Sequence, residues 1–126
     1  MTYEDDKTLS EALRTAQEAG RACALATIVA TRGSTPRKVG ARMVIDPTTG
    51  LTGTVGGGCG EAEVIESAYR VLETGFAERV RVDLTEDFTT WSPAVCGGVM
   101  DIFVEVVEAS TSALEQSSES AQARED

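Results

Sequence analysis

The sequence contains no histidine, few aromatic residues and no long apolar run. Without histidine the chain cannot build a Ser-His-Asp or Cys-His nucleophile, nor any metal site that uses a histidine ligand. The longest apolar-leaning run, 22–30, is far shorter than the ~20 residues that a helix needs to cross a bilayer. The N-terminus, Met-Thr-Tyr-Glu-Asp-Asp, has acids where a signal peptide carries positive charge. We therefore predict a cytoplasmic protein without a membrane span.

Positive charge is also scarce, because the net charge is −10. This balance argues against binding to nucleic acid, which attracts cationic surfaces. The segment 21–42 is an exception, since it holds five basic residues and no acid. It indicates either a compact anion site or a row of arginines paired with the acids of residues 61–87.

Cysteine is limited to Cys23, Cys59 and Cys96, which lie 36 and 37 residues apart. No CxxC pair exists, and any single disulfide would leave an odd thiol. We predict that the three thiols are reduced.

The chain has the length of one domain, and its patterns predict an α/β (or α+β) fold with a mixed sheet of about five strands and two helices. A capping box at Thr8–Glu11 begins the first helix, and Tyr69 is predicted on the apolar face of the second. We expect a flexible N-terminus over 1–7, a domain over 8–108 and a disordered, acidic Ser/Ala-rich tail over 109–126. The predicted helices span about 8–19 and 61–74, and the strands span about 22–31, 41–46, 51–55, 79–84 and 102–107.

A glycine-rich run, Gly56-Gly57-Gly58-Cys59-Gly60-Glu61, follows a predicted strand and opens the second helix. Backbone N–H groups at such a position bind anions, although a tight strand-to-helix connection is the alternative. The run matches neither the dinucleotide fingerprint nor the Walker A loop. A helix N-terminus lowers the pKa of a thiol by less than one unit, so Cys59 needs a nearby arginine to become a strong nucleophile or sulfur carrier.

A second thiol stands beside glycines in Cys96-Gly97-Gly98, just before the last predicted strand. The glycines indicate either close backbone approach or a strand-entry turn. If the bordering strands lie in one sheet, Cys59, Cys96 and the Ser34–Arg37 loop converge at one edge.

Four stretches carry a resemblance in both order and spacing: Gly33-Ser-Thr-Pro-Arg37, Val39-Gly-Ala-Arg-Met43, Gly53-Thr-Val-Gly-Gly-Gly-Cys-Gly-Glu61 and Cys96-Gly-Gly98. They resemble the N-terminal domain of the XdhC/CoxI family over roughly residues 9–108. The resemblance implies a maturation factor, rather than a catalyst, for molybdenum hydroxylases such as xanthine dehydrogenase and carbon monoxide dehydrogenase. Such a factor binds the molybdenum cofactor (molybdopterin), protects it during sulfuration and delivers it to the apoenzyme.

The same resemblance implies a set of cofactor-binding residues. Cys59 and Cys96 are the candidates for contact with molybdenum or its sulfur. The phosphate of the pterin suits the backbone of 56–58 and Arg37 or Arg42. The complete candidate set is Ser34, Arg37, Arg42, Gly56, Gly57, Gly58, Cys59, Cys96 and Gly97.

Many members of the family continue into a Rossmann-like domain, whereas this sequence ends in the acidic tail. The implied partners are therefore a hydroxylase apoenzyme, a cysteine desulfurase or a separate Rossmann-like polypeptide, and further copies of this chain. Two other functions remain open from the residues themselves. One is a thiol enzyme that carries sulfur on Cys59, and the other is a phosphate- or nucleotide-binding module.

Overall fold

The computed structural model describes residues 3–55, 60–85 and 97–108, which contain two helices and five strands. The predicted α/β class, with five strands and two helices in one domain, is confirmed. None of the described helices is long and apolar enough to span a membrane. The elements are α1 (Tyr3–Glu18), β1 (Cys23–Arg32), β2 (Arg42–Asp46), β3 (Gly50–Gly53), α2 (Glu61–Thr74), β4 (Glu78–Asp83) and β5 (Val99–Val107).

The five strands form one sheet in the order β3-β2-β1-β5-β4. All four neighbouring pairs are antiparallel, so the sheet differs from the mixed sheet that the sequence predicts. The physical reason lies in the connections. A parallel pair needs a crossover between neighbouring strands, and the crossover helix α2 instead joins β3 to β4, which are the two edges of the sheet.

The two helices cover opposite faces of this sheet. Side chains alternate between the faces along each strand, so the paired residues Leu25 and Val44 face α1 while the next pair, Ala26 and Met43, faces α2. The larger buried cluster lies under α2 and the smaller one under α1. The α1 cluster comprises Leu9, Ala16, Cys23 and Val44, with Ala12, Leu13, Leu25 and Val107 packed against it.

Helix α1 begins at Tyr3, five residues before the predicted capping box. Acidic residues are favoured in the first turn of a helix, and the sequence is acidic at positions 4–6, which agrees with the earlier start. Thr8 therefore lies inside the helix rather than at its cap. The end is as predicted, because Gly20 has a φ of +75° and the Arg21 N–H bonds to the Ala16 carbonyl at 2.9 Å.

Helix α2 has the predicted bounds, but one side chain on it was assigned to the wrong face. Tyr69 is 52% exposed, since it lies about 140° around the helix from buried Val64. Ser67 is buried instead, and its hydroxyl donates to the Glu78 carboxylate at 2.8 Å. This bond fastens α2 to the edge strand β4.

Candidate functional site

Antiparallel order brings the predicted site segments to one end of the sheet. β1 and β4 end there at Arg32 and Asp83, and both residues pair with Val99, where β5 begins. β2 begins and β3 ends at the same end, some residues further back along the sheet. The loops that follow β1 and β3 and the segment that precedes β5 therefore open on a common side.

The loop after β1 packs directly against the backbone before β5. A methyl group added at Gly98 would lie 2.4 Å from the carbonyl oxygen of Arg32 and 2.6 Å from that of Ser34. Gly33, at a φ of +72°, has the Gly97 carbonyl oxygen 3.1 Å from its own Cβ position. The Ser34–Arg37 loop and the backbone of 97–98 therefore lie side by side, while the predicted convergence of this loop with Cys59 and Cys96 stays a prediction. Cys96 lies outside the described residues.

Thr35 fixes the course of this loop toward Arg37. Its side chain is buried and contacts the Gly98 backbone, and its hydroxyl donates to the Arg37 carbonyl at 2.8 Å. A four-residue turn follows, closed by the bond from the Ala41 N–H to the Lys38 carbonyl at 3.0 Å. Gly40, at the third position of this turn, has a φ of +97°, a conformation that glycine adopts without strain. The turn brings Arg37 and Arg42 to the same side of the molecule.

Arg37 and Arg42 line one cavity of about 80 Å³ between α1 and the β2–β3 hairpin. The described residues that line it include no carboxylate. Gly53 forms part of its wall, and a methyl group there would lie 2.6 Å from the Arg42 carbonyl oxygen and 3.0 Å from Leu9 Cδ2. The remaining lining residues are Thr8, Leu9, Thr52 and Thr54. Ser34 and Gly97 do not line the cavity.

The glycine-rich segment connects to this cavity through its described end. Gly56, Gly57, Gly58 and Cys59 lie outside the described residues. Gly60 begins α2 at a φ of +74° and sits so close to Val82 that an added methyl group would be 2.3 Å from Val82 Cγ1. The hydroxyl of Thr54, which lines the cavity, donates to the Glu61 carboxylate at the first position of α2.

The basic residues of segment 21–42 lie in two different environments. Arg21 pairs with the buried Asp46 at 2.9 Å, at the opposite end of the sheet from the cavity. Arg37 makes no ion pair with any residue that the structure describes. The sequence-based alternative, in which the arginines pair with the acids of residues 61–87, therefore does not hold for Arg21 or, among the described residues, for Arg37.

Two groups near Arg21 have shifted pKa values. The hydrogen bond from Arg21 lowers the pKa of Asp46 to about 2, and the Thr48 N–H adds to this effect. Burial raises the pKa of the Cys23 thiol, with the negative charge of Asp46 acting in the same direction. Cys23 is fully buried in the α1 cluster, as its apolar strand predicts. Both groups stabilise the fold and lie outside the site.

The sequence-based site set missed the residues that α1 and β3 contribute. Packing of α1 on the hairpin brings Thr8 and Leu9 to the cavity. The pairing of β3 with β2 brings Thr52, Gly53 and Thr54 there. Gly53 and Thr54 open the glycine-rich stretch 53–61, so the sequence of that stretch could have indicated these two lining residues. Within residues 3–55, 60–85 and 97–108, no cluster of three or more metal-ligating side chains occurs.

The family of this chain follows from its similarity to known proteins. The family model described as "XdhC and CoxI family" matches residues 16–83, which is more than half of the 126-residue chain. The chain belongs to the XdhC and CoxI family. The matched region contains Arg37, Arg42 and the glycine-rich motif, so the predicted resemblance is confirmed.

Two relatives show how this member of the XdhC and CoxI family compares with longer chains. It is 34% identical over 83 residues to the uncharacterized protein YqeB of Escherichia coli K12, and the match covers 66% of this chain and 15% of that protein. It also resembles a crystal structure described as a xanthine dehydrogenase from Bacillus halodurans, with a TM-score of 0.64 and 30% identity. That match covers 78% of this chain and 30% of the Bacillus chain. The chain thus spans less than a third of either relative.

Proposed function

We propose that this protein binds the molybdenum cofactor and assists its sulfuration, its insertion, or both, in a hydroxylase of the xanthine dehydrogenase or carbon monoxide dehydrogenase type. Membership of the XdhC and CoxI family supports the enzyme class. The observation that carries the proposal is the cavity lined by Arg37 and Arg42 on the side of the molecule where the predicted site segments meet. Bound cofactor would supply the molybdenum centre that the hydroxylase needs.

The described residues fit the anionic part of such a cofactor. Guanidinium groups bind phosphate through pairs of parallel hydrogen bonds, and the cavity wall holds the guanidinium-bearing residues Arg37 and Arg42. The candidate set for the complete cofactor remains Ser34, Arg37, Arg42, Gly56, Gly57, Gly58, Cys59, Cys96 and Gly97. Glycine at 33 and 98 allows close packing of the backbone beside the set.

Purification from cells with a working molybdenum-cofactor pathway tests the proposal. Mass spectrometry of the native protein should detect pterin, and oxidation should release its fluorescent product. A persulfide on Cys59 without pterin would favour the sulfur-carrying thiol enzyme, and bound nucleotide alone would favour a nucleotide-binding module. Either result would replace the proposal.

Cys59→Ser tests the proposed role of the thiol, with Cys23→Ala as its matched control. We expect Cys59→Ser to retain most of its pterin, because phosphate and ring contacts persist, while activation of the apo-hydroxylase collapses. Cys23 lies in the buried cluster under α1, so Cys23→Ala should lower stability and leave activation per folded molecule unchanged. Full activation by Cys59→Ser would contradict the proposed role.

The proposal extends to the protein's partners. The apo-hydroxylase is the recipient, and a cysteine desulfurase or a Rossmann-like polypeptide would supply what the longer relatives contain. Light scattering coupled to size-exclusion chromatography, with and without each candidate, measures whether the chain forms oligomers or a complex. A monomer that binds none of them would count against these partners.

A further inference from the structure

We propose that one side of α2 is a docking surface for a basic amphipathic helix of a partner protein. The surface is the α2 stripe, which consists of Ala62, Ile65, Tyr69, Leu72 and, directly after the helix, Phe76. Helix α2 covers the opposite face of the sheet from the arginine-lined cavity. The inference does not depend on the proposed function, because it involves neither the cofactor nor the residues proposed to bind it.

The spacing of the α2 stripe is that of a helix-packing seam. Its members follow one another at intervals of three, four, three and four residues. At 3.6 residues per turn, the four members within the helix fall inside an arc of ~80°. Two helices pack along such a seam when the partner has apolar side chains at the same intervals. The stripe therefore has the pattern of one half of a helix pair.

The protein's own core uses only part of the stripe. Ile65 and Leu72 are half-buried at the edge of the larger buried cluster. Tyr69 is 52% exposed, and Phe76, at 76%, is the most exposed large apolar side chain among the described residues. The backbone at Phe76 is nevertheless fixed, because its N–H bonds to Thr74 Oγ1 at 3.1 Å. Two aromatic side chains, the type that contributes most to binding interfaces, thus remain available on a well-ordered helix.

The charge beside the stripe selects the partner. Glu66 and Glu73 are exposed and each directly follows an apolar member of the stripe, which is the position from which paired helices form salt bridges. The nearby base, Arg70, is bound to Glu78 at 2.9 Å. Three carboxylates and one guanidinium leave a formal charge of −2 on this side of the helix. Lysine or arginine beside the apolar residues of a partner helix would complement this charge.

The same charge disfavours the other occupants. A second copy of the stripe would place its own Glu66 and Glu73 against these carboxylates, and like charges across an interface repel. Residues 110–126 contain four acids and one base, so this segment is repelled in the same way. An anionic membrane surface attracts basic and not acidic segments. A basic helix of another protein fits both the apolar spacing and the charge.

A pair of synthetic helical peptides tests the surface on the full-length protein. Each has about 18 residues, or ~five turns, with leucine at the intervals of the stripe. One carries lysine directly beside the leucines, and the other carries glutamate there. Fluorescence anisotropy of the labelled peptides should show micromolar binding of the lysine peptide and binding of the glutamate peptide at least ~10-fold weaker. No binding, or equal affinities, would overturn the proposal.

Alanine variants locate the bound peptide. Tyr69→Ala and Phe76→Ala should each weaken binding of the lysine peptide by roughly 10-fold, because each removes an aromatic anchor. Phe103→Ala removes a 37% exposed ring from the other face of the sheet and should bind the peptide as the parent does. Equal affinities for Phe103→Ala and the two stripe variants would mean that the peptide binds elsewhere, which overturns the proposal.

Charge reversal separates a local effect from that of net charge. The double variant Glu66→Lys/Glu73→Lys should bind the glutamate peptide more tightly than the lysine peptide. Glu11→Lys/Glu18→Lys changes the net charge equally at exposed positions of α1 and should keep the parent's preference. The same reversal of preference in both double variants would overturn the proposal.

Two further measurements test the disfavoured occupants. Light scattering should show no dimer that Tyr69→Ala dissociates, since such a dimer would assign the stripe to a second copy. Removal of residues 110–126 should change the affinity for the lysine peptide by less than ~10-fold at high salt, where long-range charge is screened. A larger gain would assign the stripe to that segment, and either of these results would overturn the proposal.

Discussion

At the scale of single residues, the ion pair between Arg21 and Asp46 makes stability depend on pH. Asp46 is 4% exposed, and its pKa falls from 3.8 to about 2 on folding. A lowered pKa contributes stability above the pKa of the unfolded chain, and this contribution is lost as the pH falls from about 4 to about 2. The shift corresponds to about 2 kcal/mol at neutral pH.

Urea unfolding of the parent and of Asp46→Asn between pH 2 and pH 7 measures this contribution. The variant should be less stable by about 2 kcal/mol at pH 7. The difference should become small near pH 2, where the parent carboxylate is also becoming protonated. A difference that stays constant over this range would show that the pair acts through packing and not through charge.

The burial of some single residues could be predicted from the sequence, and that of others could not. Burial of Cys23 followed from its apolar strand, since a small hydrophobic side chain suits such a position. The helical spacing predicts Tyr69 on the apolar face beside Ala68 and Leu72, but Tyr69 lies at the margin of that face and is exposed. Burial of Ser67 depends on a partner in another element, Glu78, which no local pattern reveals.

At the scale of elements, α2 was predictable because each of its ends is marked by a glycine in the left-handed region, Gly60 and Gly75. The start of α1 could not be predicted, since the capping box at Thr8 and the acids before it are competing start signals. The side of the molecule that holds the site segments follows from strand order. The cavity cannot be predicted from strand order, because it depends on how closely α1 packs on β2 and β3.

The two glycines before β5 provide an element-level test of the site. Gly98→Ala forces a methyl group against the backbone of Arg32 and Ser34, so the loop that fixes Arg37 must move away from β5. Gly97→Ala meets no atom within 4 Å and serves as the matched control. We expect Gly98→Ala to lower the thermal midpoint and to weaken phosphate binding, while Gly97→Ala, at a candidate cofactor-binding residue, leaves the thermal midpoint close to the parent value. Equal behaviour of the two variants would contradict the proposed support of Arg37 by Gly98.

At the scale of the whole molecule, the candidate site and the stabilising ion pair lie at opposite ends of the sheet. The Arg21–Asp46 pair lies at one end, and the arginine-lined cavity opens at the other. A protein of net charge −10 thus presents a cavity lined by positive side chains. Fields of one sign in a cleft raise the local concentration of oppositely charged ligands, so phosphate binding should weaken as salt is added.

Removal of residues 110–126 tests whether the domain over 8–108 is stable by itself. The removed segment has few large apolar side chains with which to offset an ordering cost of ~1–2 kcal/mol per residue. The buried clusters of the described residues lie between Leu9 and Val107. We therefore expect the free energy of unfolding to change by less than ~0.5 kcal/mol, which corresponds to at most about 4 °C in the thermal midpoint.

The charge of the removed segment predicts the direction of any change in the thermal midpoint. Leu9→Ala provides the reference value for a loss of core packing. The truncation removes four acids and one base, so the net charge changes from −10 to −7 and self-repulsion falls. Any shift of the midpoint should therefore be upward at low salt and should vanish at high salt. Leu9 is 1% exposed, and its replacement by alanine should cost about 2–5 kcal/mol, which shows that the assay detects loss of core packing. A truncated chain that melts as early as Leu9→Ala would mean that residues 110–126 pack on the domain, and the boundary after 108 would then be wrong.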